Sequence, residues 1–251
     1  MRQRATFLGH STVLLEMGGV RILTDPVLFD RIGILRRAAS PLPGELHAAI
    51  DGVVISHMHL DHLDLRSVRE LGPATRLVVP AGAAGYLRAH GFTDVSELAP
   101  GESANVGPVR VTATTAIHSG FRPPFGPNAR AVGYLLDCDD ERVYFAGDTD
   151  LFAEMAGLEG IDLALLPVWG WGPRLGPGHM DPVRAAEALP LLRPRAAAPI
   201  HWGTLWPLGL GRVLPHRLTE PPREFASAAS EIAPAVDVLL AAPGDAIPIP
   251  D

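Results

Sequence analysis

The hexapeptide His57-Met58-His59-Leu60-Asp61-His62 constrains this chain more than any other stretch. It puts four potential metal ligands within six residues, directly after the apolar run Gly52–Ser56. A short apolar run of that kind suits a buried strand. Side chains two apart in extended chain point the same way, so His57 and His59 can grip one ion. Asp61 and His62 lie one bend further on and can face a second. Neutral imidazole and carboxylate suit zinc first, with manganese or iron also fitting. The bland alternative is a polar, His-rich surface loop, a composition uncommon by chance.

Three more candidates each follow an expected strand. His118 follows Val109–Ile117, Asp148 follows Val143–Gly147, and His201 follows Ala196–Ile200. Strand ends gather along one sheet edge, where α/β folds keep their sites. The candidates sort into two sets. His57, His59 and His118 take one divalent ion, Asp61, His62 and His201 take the other, and Asp148 bridges. Each ion then keeps an open position for water, the mark of a catalytic site.

Composition narrows the class. Of 251 residues 47% are hydrophobic and 20% charged, enough for a core and unlike a disordered chain. The net charge is −7, and all 21 basic residues are Arg. That balance argues against a sequence-independent nucleic-acid binder. The single Cys138 rules out an intramolecular disulfide and a four-cysteine zinc site, and fits a reducing cytoplasm. No secretory signal and no apolar stretch of about 20 residues is visible.

Strands are expected at Ala5–Leu8, Thr12–Met17 and Val20–Thr24, with a tight turn at Gly18-Gly19. Further strands are expected at Gly52–Ser56, Arg76–Val79, Asp94–Leu98, Val109–Ala116, Val132–Asp137, Arg142–Ala146, Leu163–Leu166, Ala196–Ile200 and Val236–Leu240. Helices are expected at Asp64–Leu71, Ala81–His90, Asp150–Ala156, Asp181–Leu189 and Pro222–Ala233, with Asp64 and Asp181 as N-caps. No repeat or linker interrupts this alternation, so residues 1–251 read as one α/β domain. The stretch Pro26–Ala49 is long and irregular. Its Leu28–Leu42 portion is either a lid or a subunit contact in a homo-oligomer.

Together, Gly9-His10-Ser11-Thr12, Thr24-Asp25-Pro26, the His57–His62 motif, His118, Gly147-Asp148-Thr149 and His201-Trp202-Gly203-Thr204 resemble the metallo-β-lactamase fold superfamily. Arg36-Arg37, Ser40-Pro41, Gly178-His179-Met180-Asp181-Pro182 and Glu220-Pro221-Pro222 are similar to the branch holding L-ascorbate-6-phosphate lactonase and N-acyl phosphatidylethanolamine phospholipase D. The resemblance implies a four-layer αββα sandwich with the metals at one edge of its two sheets. It also implies that Asp25 supports a ligand histidine or the ligand loop. It gives His179 a place at the site, contacting substrate or protonating a leaving group; the bland reading is a loop histidine near a helix cap.

Two divalent ions set against Asp61, Asp148 and a bridging hydroxide leave about one positive charge. That favours a small anionic or partly apolar ester. The expected activity is hydrolysis of a phosphodiester, lactone or related ester by the bridging hydroxide, with Asp61, Asp148 and His179 as catalytic residues. The rivals are a nuclease of the same superfamily, a diiron redox protein and a non-catalytic metal-binding protein. His10 either orients groups near the metals or caps a bend. Trp169, Trp171, Trp202, Trp206, Phe121 and Phe125 either wall an apolar pocket or anchor loops. Arg122, Arg130 and Arg174 either bind phosphate or lie solvated. His47, His90 and His216 read as surface or loop residues.

Overall fold

Alternation along the strands builds the layers. The computed structural model describes residues 3–39, 43–210 and 213–250. Its first half holds β1 (Arg4–Gly9), β2 (Thr12–Met17), β3 (Val20–Thr24), β4 (Arg31–Ile32), β5 (Leu35–Arg37), β6 (Gly52–Val54), α1 (Leu65–Glu70), β7 (Arg76–Pro80), α2 (Ala84–Ala89) and β8 (Val95–Leu98). Then come β9 (Ser103–Val106), β10 (Val109–Thr115), β11 (Val132–Cys138), β12 (Glu141–Phe145), β13 (Leu163–Pro167), α3 (Pro182–Leu192) and β14 (Ala196–Ile200). β15 (Leu205–Pro207), α4 (Pro221–Ile232), β16 (Asp237–Val238) and β17 (Ala246–Pro248) follow.

Two seven-stranded sheets result, in the orders β17-β1-β2-β3-β6-β7-β8 and β16-β14-β13-β12-β11-β10-β9. Phe7, Val13, Leu15, Val54 and Val78 of the first meet Val111, Tyr134, Phe145, Leu165 and Ala198 of the second in a shared core. The alternate residues face outward. Leu14, Val53, Leu77 and Val79 pack with Val68 of α1 and Leu87 of α2. Tyr144, Ala164, Leu166 and Ala197 pack with Leu189 of α3 and Phe225 of α4. The four layers are therefore helix, sheet, sheet and helix. Strands covered on both faces must be apolar on both, which is why the central ones read as unbroken apolar runs.

Strand direction places the site. β3, β6, β7 and β8 run parallel, as do β12, β13, β14 and β16. β1 lies two antiparallel steps from β3, and β10 two from β12. In the first sheet β1, β3 and β6 thus end at one edge, and lead into His10, Asp25 and His57. In the second, β10, β12 and β14 end at one edge and lead into His118, Asp148 and His201.

Local expectations meet tertiary constraints at several points. Asp64 and Asp181 cap α1 and α3 as expected, accepting from the Ser67 and Arg184 amides at 3.2 and 2.9 Å. The helix expected at Asp150–Ala156 is only a 3₁₀ turn, Ala153–Gly157. Asp150 is held elsewhere, its amide on the Ile117 carbonyl and its carboxylate on Arg184. The helix expected from Ala81 starts at Ala84, because Glu97 accepts from the Gly82 and Ala84 amides and holds a turn there. The last expected strand shrinks to Asp237–Val238, where β14 offers only two partners. In the irregular stretch, β4 and β5 form a hairpin that joins β15 in a third, three-stranded sheet. Ser40, Pro41 and Leu42 lie outside the described residues. No helix among the described residues is long and apolar enough to cross a membrane.

The two sheets touch tightly where Gly147 leaves β12. Gly147 has φ +60, and a Cβ there would sit 2.5 Å from the Ser56 Cβ. Gly19 has φ +80 and open space around it. Gly147→Ala is expected to cost about 1–3 kcal/mol more than Gly19→Ala, the difference being overpacking without any difference in the sign of φ. Urea unfolding of both variants checks this; equal losses would show that the sheets do not meet tightly there.

Candidate metal centre

The corners that carry the site are strained. His10, Asp25 and His201 sit at φ 54, 34 and 60, in a region that residues with a Cβ enter at a cost. Tertiary bonds hold them. The His10 amide donates to Thr204 Oγ1, the His201 amide to the His10 carbonyl, and the Asp25 amide to the Val54 carbonyl.

The seven expected ligands converge. The Nε2 atoms of His57 and His118 lie 2.9 and 3.1 Å from His59 Nδ1. His62 Nε2 lies 3.1 Å from His201 Nε2. Asp61 Oδ2 lies 3.6 and 3.7 Å from those last two nitrogens. Asp148 Oδ2 stands between the groups, 4.0 Å from His57, 3.9 Å from His118, 3.1 Å from His62 and 3.3 Å from His201. His179 Nε2 reaches the same oxygen at 3.2 Å.

Hydrogen bonds on the far side of four of these rings fix which nitrogen faces inward. His118 Nδ1 donates to the Gly178 carbonyl and His201 Nδ1 to the Trp169 carbonyl. His62 Nδ1 donates to Asp25 Oδ2 at 2.6 Å. His57 Nδ1 donates to Ser56 Oγ, which donates in turn to Asp25. These bonds turn ring nitrogens toward one another across about 3 Å, the Nε2 atoms of His57 and His118 toward His59 Nδ1 and His62 Nε2 toward His201 Nε2. That contact is unfavourable between neutral rings and becomes favourable around a cation. The spacing approaches the roughly 3.3 Å edge of a tetrahedron with metal–nitrogen bonds of about 2.0 Å. Asp148 Oδ1 is buried without a protein partner, a further unused donor. These residues fit metal binding.

Charge follows the same plan. Burial and the neighbouring histidines hold His57 well below the usual imidazole pKa, and burial lowers His59 too. Burial takes His118 to about 4 and His10 to about 3. These rings are neutral, the form that binds a metal or acts as a single donor. Burial also opposes charge on His62, but Asp148, Asp61 and Asp25 outweigh it and raise its pKa well above normal. Burial alone would raise Asp61 and Asp148; the histidines around them reverse this and hold both well below the usual carboxylate range.

His10 differs from the other rings. Its Nε2 contacts Asp61 Oδ2 at 2.9 Å, and its Nδ1 is buried without a partner. Were Nε2 a lone-pair donor to a metal, Nδ1–H would be a buried orphan proton, which is costly. As an Nε2–H donor, His10 leaves only an unused acceptor and holds Asp61 in place. The sequence signal was its position after Gly9 at a strand end, which does not separate orienting from capping.

A cavity of about 470 Å³ opens onto His59, Asp61, Asp148 and His179. Its walls are Ile32, Ile34, Leu35, Leu60, Trp171 and Leu175, with Arg174 as the cation. The β4–β5 hairpin is therefore a wall of the site. Other expected wall residues sit elsewhere. Phe125 is 95% exposed, and Pro123 of its loop lines the cavity instead. Trp202 stacks on Phe7, and Trp206 is buried with its Nε1 on the Leu210 carbonyl. Arg122 is buried and donates to the Met58 and Leu63 carbonyls, so it braces the ligand loop and does not reach substrate.

A family model described as a beta-lactamase superfamily domain matches residues 20–202. The N-acyl-phosphatidylethanolamine-hydrolyzing phospholipase D 1 of Caenorhabditis elegans is 35% identical over 231 residues. That match covers 82% of this chain and only 65% of the worm protein's length. A UPF0173 metal-dependent hydrolase of Opitutus terrae is 35% identical over 225 residues, 85% of this chain and 89% of that one. Among solved structures, the metallo hydrolase Igni18 of Ignicoccus hospitalis superposes with a TM-score of 0.75 at 26% identity, covering 98% of both chains.

Removing the donor that holds Asp61 is expected to weaken metal binding at Asp61. His10→Ala should lower metal affinity about 10–100-fold, and His10→Gln, which restores an amide donor, should recover part of it. Metal titration by calorimetry with elemental analysis checks this. Unchanged affinity in the Ala variant, or no rescue by Gln, would mean that His10 does not act through Asp61.

Proposed function

This chain belongs to the beta-lactamase superfamily, and on that premise we propose that it is a dinuclear metal-dependent hydrolase that cleaves an ester with one anionic and one apolar part. The observation that carries the reading is the convergence of the two ligand sets on Asp148 Oδ2 at the floor of an apolar cavity. His57, His59 and His118 would hold one ion, and Asp61, His62 and His201 the other, with Asp148 between them. When bound, zinc or a similar divalent ion makes water nucleophilic near neutral pH and polarises the electrophile.

The protein's own groups do the rest. Asp25 and the Gly178 and Trp169 carbonyls keep the imidazoles turned inward. His179 supplies the proton. Its Nδ1 faces the Gly176 and Pro177 carbonyls and its Nε2 faces Asp148. All three partners accept, so both ring nitrogens carry hydrogen and the ring is a ready acid for a leaving oxygen. Ile32, Leu35, Trp171 and Leu175 enclose the apolar part of the substrate and exclude water. Arg174 meets the anionic part.

The worm relative's name describes hydrolysis of a phospholipid by a phospholipase D. That supports a phosphodiester as the first substrate class to try, with lactones and other esters after it. The nuclease reading is disfavoured by apolar walls, where a polynucleotide needs a cationic groove and base-stacking surfaces.

Metal-loaded protein is expected to turn over one member of a panel holding a chromogenic phosphodiester, a sugar-phosphate lactone, a simple lactone and an N-acyl phospholipid. Asp148→Asn should lower both turnover and metal content; full activity in that variant would overturn the dinuclear reading. Arg174→Ala is expected to raise KM about tenfold for an anionic substrate, with kcat little changed. An equal change for a neutral ester would show that Arg174 does not read the anion.

A further inference from the structure

Three residues past His201 lies Thr204, fully buried and with both of its oxygens committed. Its hydroxyl donates to the Trp202 carbonyl at 3.1 Å, which leaves a lone pair for the His10 amide, 2.6 Å away. Its main-chain carbonyl accepts from the Ala38 amide at 2.7 Å, one residue past β5. The two oxygens therefore serve different parts of the molecule. The carbonyl holds the strand pair that walls the cavity, and the hydroxyl holds the turn at His10. Valine has nearly the same outline and can make neither hydroxyl bond.

That turn is under strain. His10 lies between β1 and β2, where Gly9 pairs with Thr12, and its φ is 54. A residue with a Cβ keeps a left-handed φ only where its surroundings over-determine it. Here both sides of the residue are strapped by one segment. The amide donates to Thr204 Oγ1, and the carbonyl accepts from the His201 amide at 2.7 Å. A Cβ at residue 9 would lie 2.8 Å from Thr204 Oγ1, so glycine leaves the room in which the threonine stands. The turn in turn aims the His10 ring. Its Nε2 stands 2.9 Å from Asp61 Oδ2, closer than the imidazoles of His62 at 3.6 Å or His201 at 3.7 Å.

We infer that Thr204 is a positioning residue of the metal centre, acting through the His10 turn on Asp61. The inference rests on Asp61 being a metal ligand. It makes a side chain beyond the second sheet's His201 responsible for a ligand carried on the first sheet's loop. A rival route runs directly from Thr204 to His201 along the chain, and the two routes predict different behaviour when variants are combined.

Zinc-loaded protein is titrated with a chromogenic chelator. Thr204→Val is expected to weaken zinc retention about tenfold, and Thr204→Ser to restore it. Thr75→Val removes a buried hydroxyl from the Leu71 carbonyl at the start of β7, opposite the ligand-bearing edge, and should leave retention unchanged. The double variant His10→Ala with Thr204→Val should lose no more than His10→Ala alone, because the ring through which Thr204 acts is already gone. Thermal melts confirm folding, and Thr204→Ala repeats the test should valine unfold the turn. In metal-free protein, the downfield proton signal of His10 Nε2, identified by its absence from His10→Gln, should shift or vanish in Thr204→Val and persist in Thr204→Ser. Three results would overturn the inference: zinc retention unchanged in Thr204→Val, losses that multiply in the double variant, or an unmoved His10 proton. Wild-type protein that holds no zinc would overturn the metal reading, and the proton signal alone would then decide the link from Thr204 to His10.

Discussion

A carboxylate with almost no solvent contact must be balanced by positive charge, and Asp148 Oδ2 is ringed by five imidazoles between 3.1 and 4.0 Å away. Those rings arrive from both sheets. His57 and His62 come from the first, and His118, His179 and His201 from the second. The contact between the sheets is thus electrostatic at the ligand edge and apolar in the shared core. The glycine at 147 lets the two approach closely enough for this to happen. Charge and fold depend on one another there, since, against the opposing effect of burial, the buried carboxylates Asp148, Asp61 and Asp25 raise the His62 pKa well above normal.

Asp25 shows how far the support extends. It accepts from the Ser56 amide and hydroxyl and from His62, and through Ser56 it steadies His57. One carboxylate therefore sets the orientation of two imidazoles, that of His62 directly and that of His57 through Ser56. Arg122 does comparable work from the other sheet, its guanidinium bridging the carbonyls of Met58 and Leu63 at both ends of the ligand loop. Cationic side chains near a site are not all there for substrate. Here one braces and one, Arg174, faces the cavity.

The strand alternation and the ligand-bearing edge were legible in the sequence because each rests on a local pattern, whereas the four-layer sandwich was implied by the family resemblance. Apolar runs such as Leu163–Leu166 mark strands covered on both faces, and the histidines and aspartates stand just past their ends. Asp64 and Asp181 declare their helices through short-range bonds. What stayed hidden depends on distant partners. The β4–β5 hairpin exists because Leu35–Arg37 pair with Leu205–Pro207, far along the chain. Asp150 fails to start a helix because Arg184 and Ile117 hold it. The one-letter code of Arg122 is that of Arg174, and only burial tells the brace from the pocket cation.

The hairpin's pairing partner has a consequence for how such a protein can change over generations. β4 and β5 pair with β15 and with no strand of either large sheet. The hairpin wall of the cavity is therefore a separate strand unit, tied to the first sheet by Arg37 on the Leu8 carbonyl. Insertions, deletions or exchanges of sequence in that unit can reshape the cavity while the imidazoles keep their places. Lineages built on this plan can diversify in what they accept without rebuilding the chemistry.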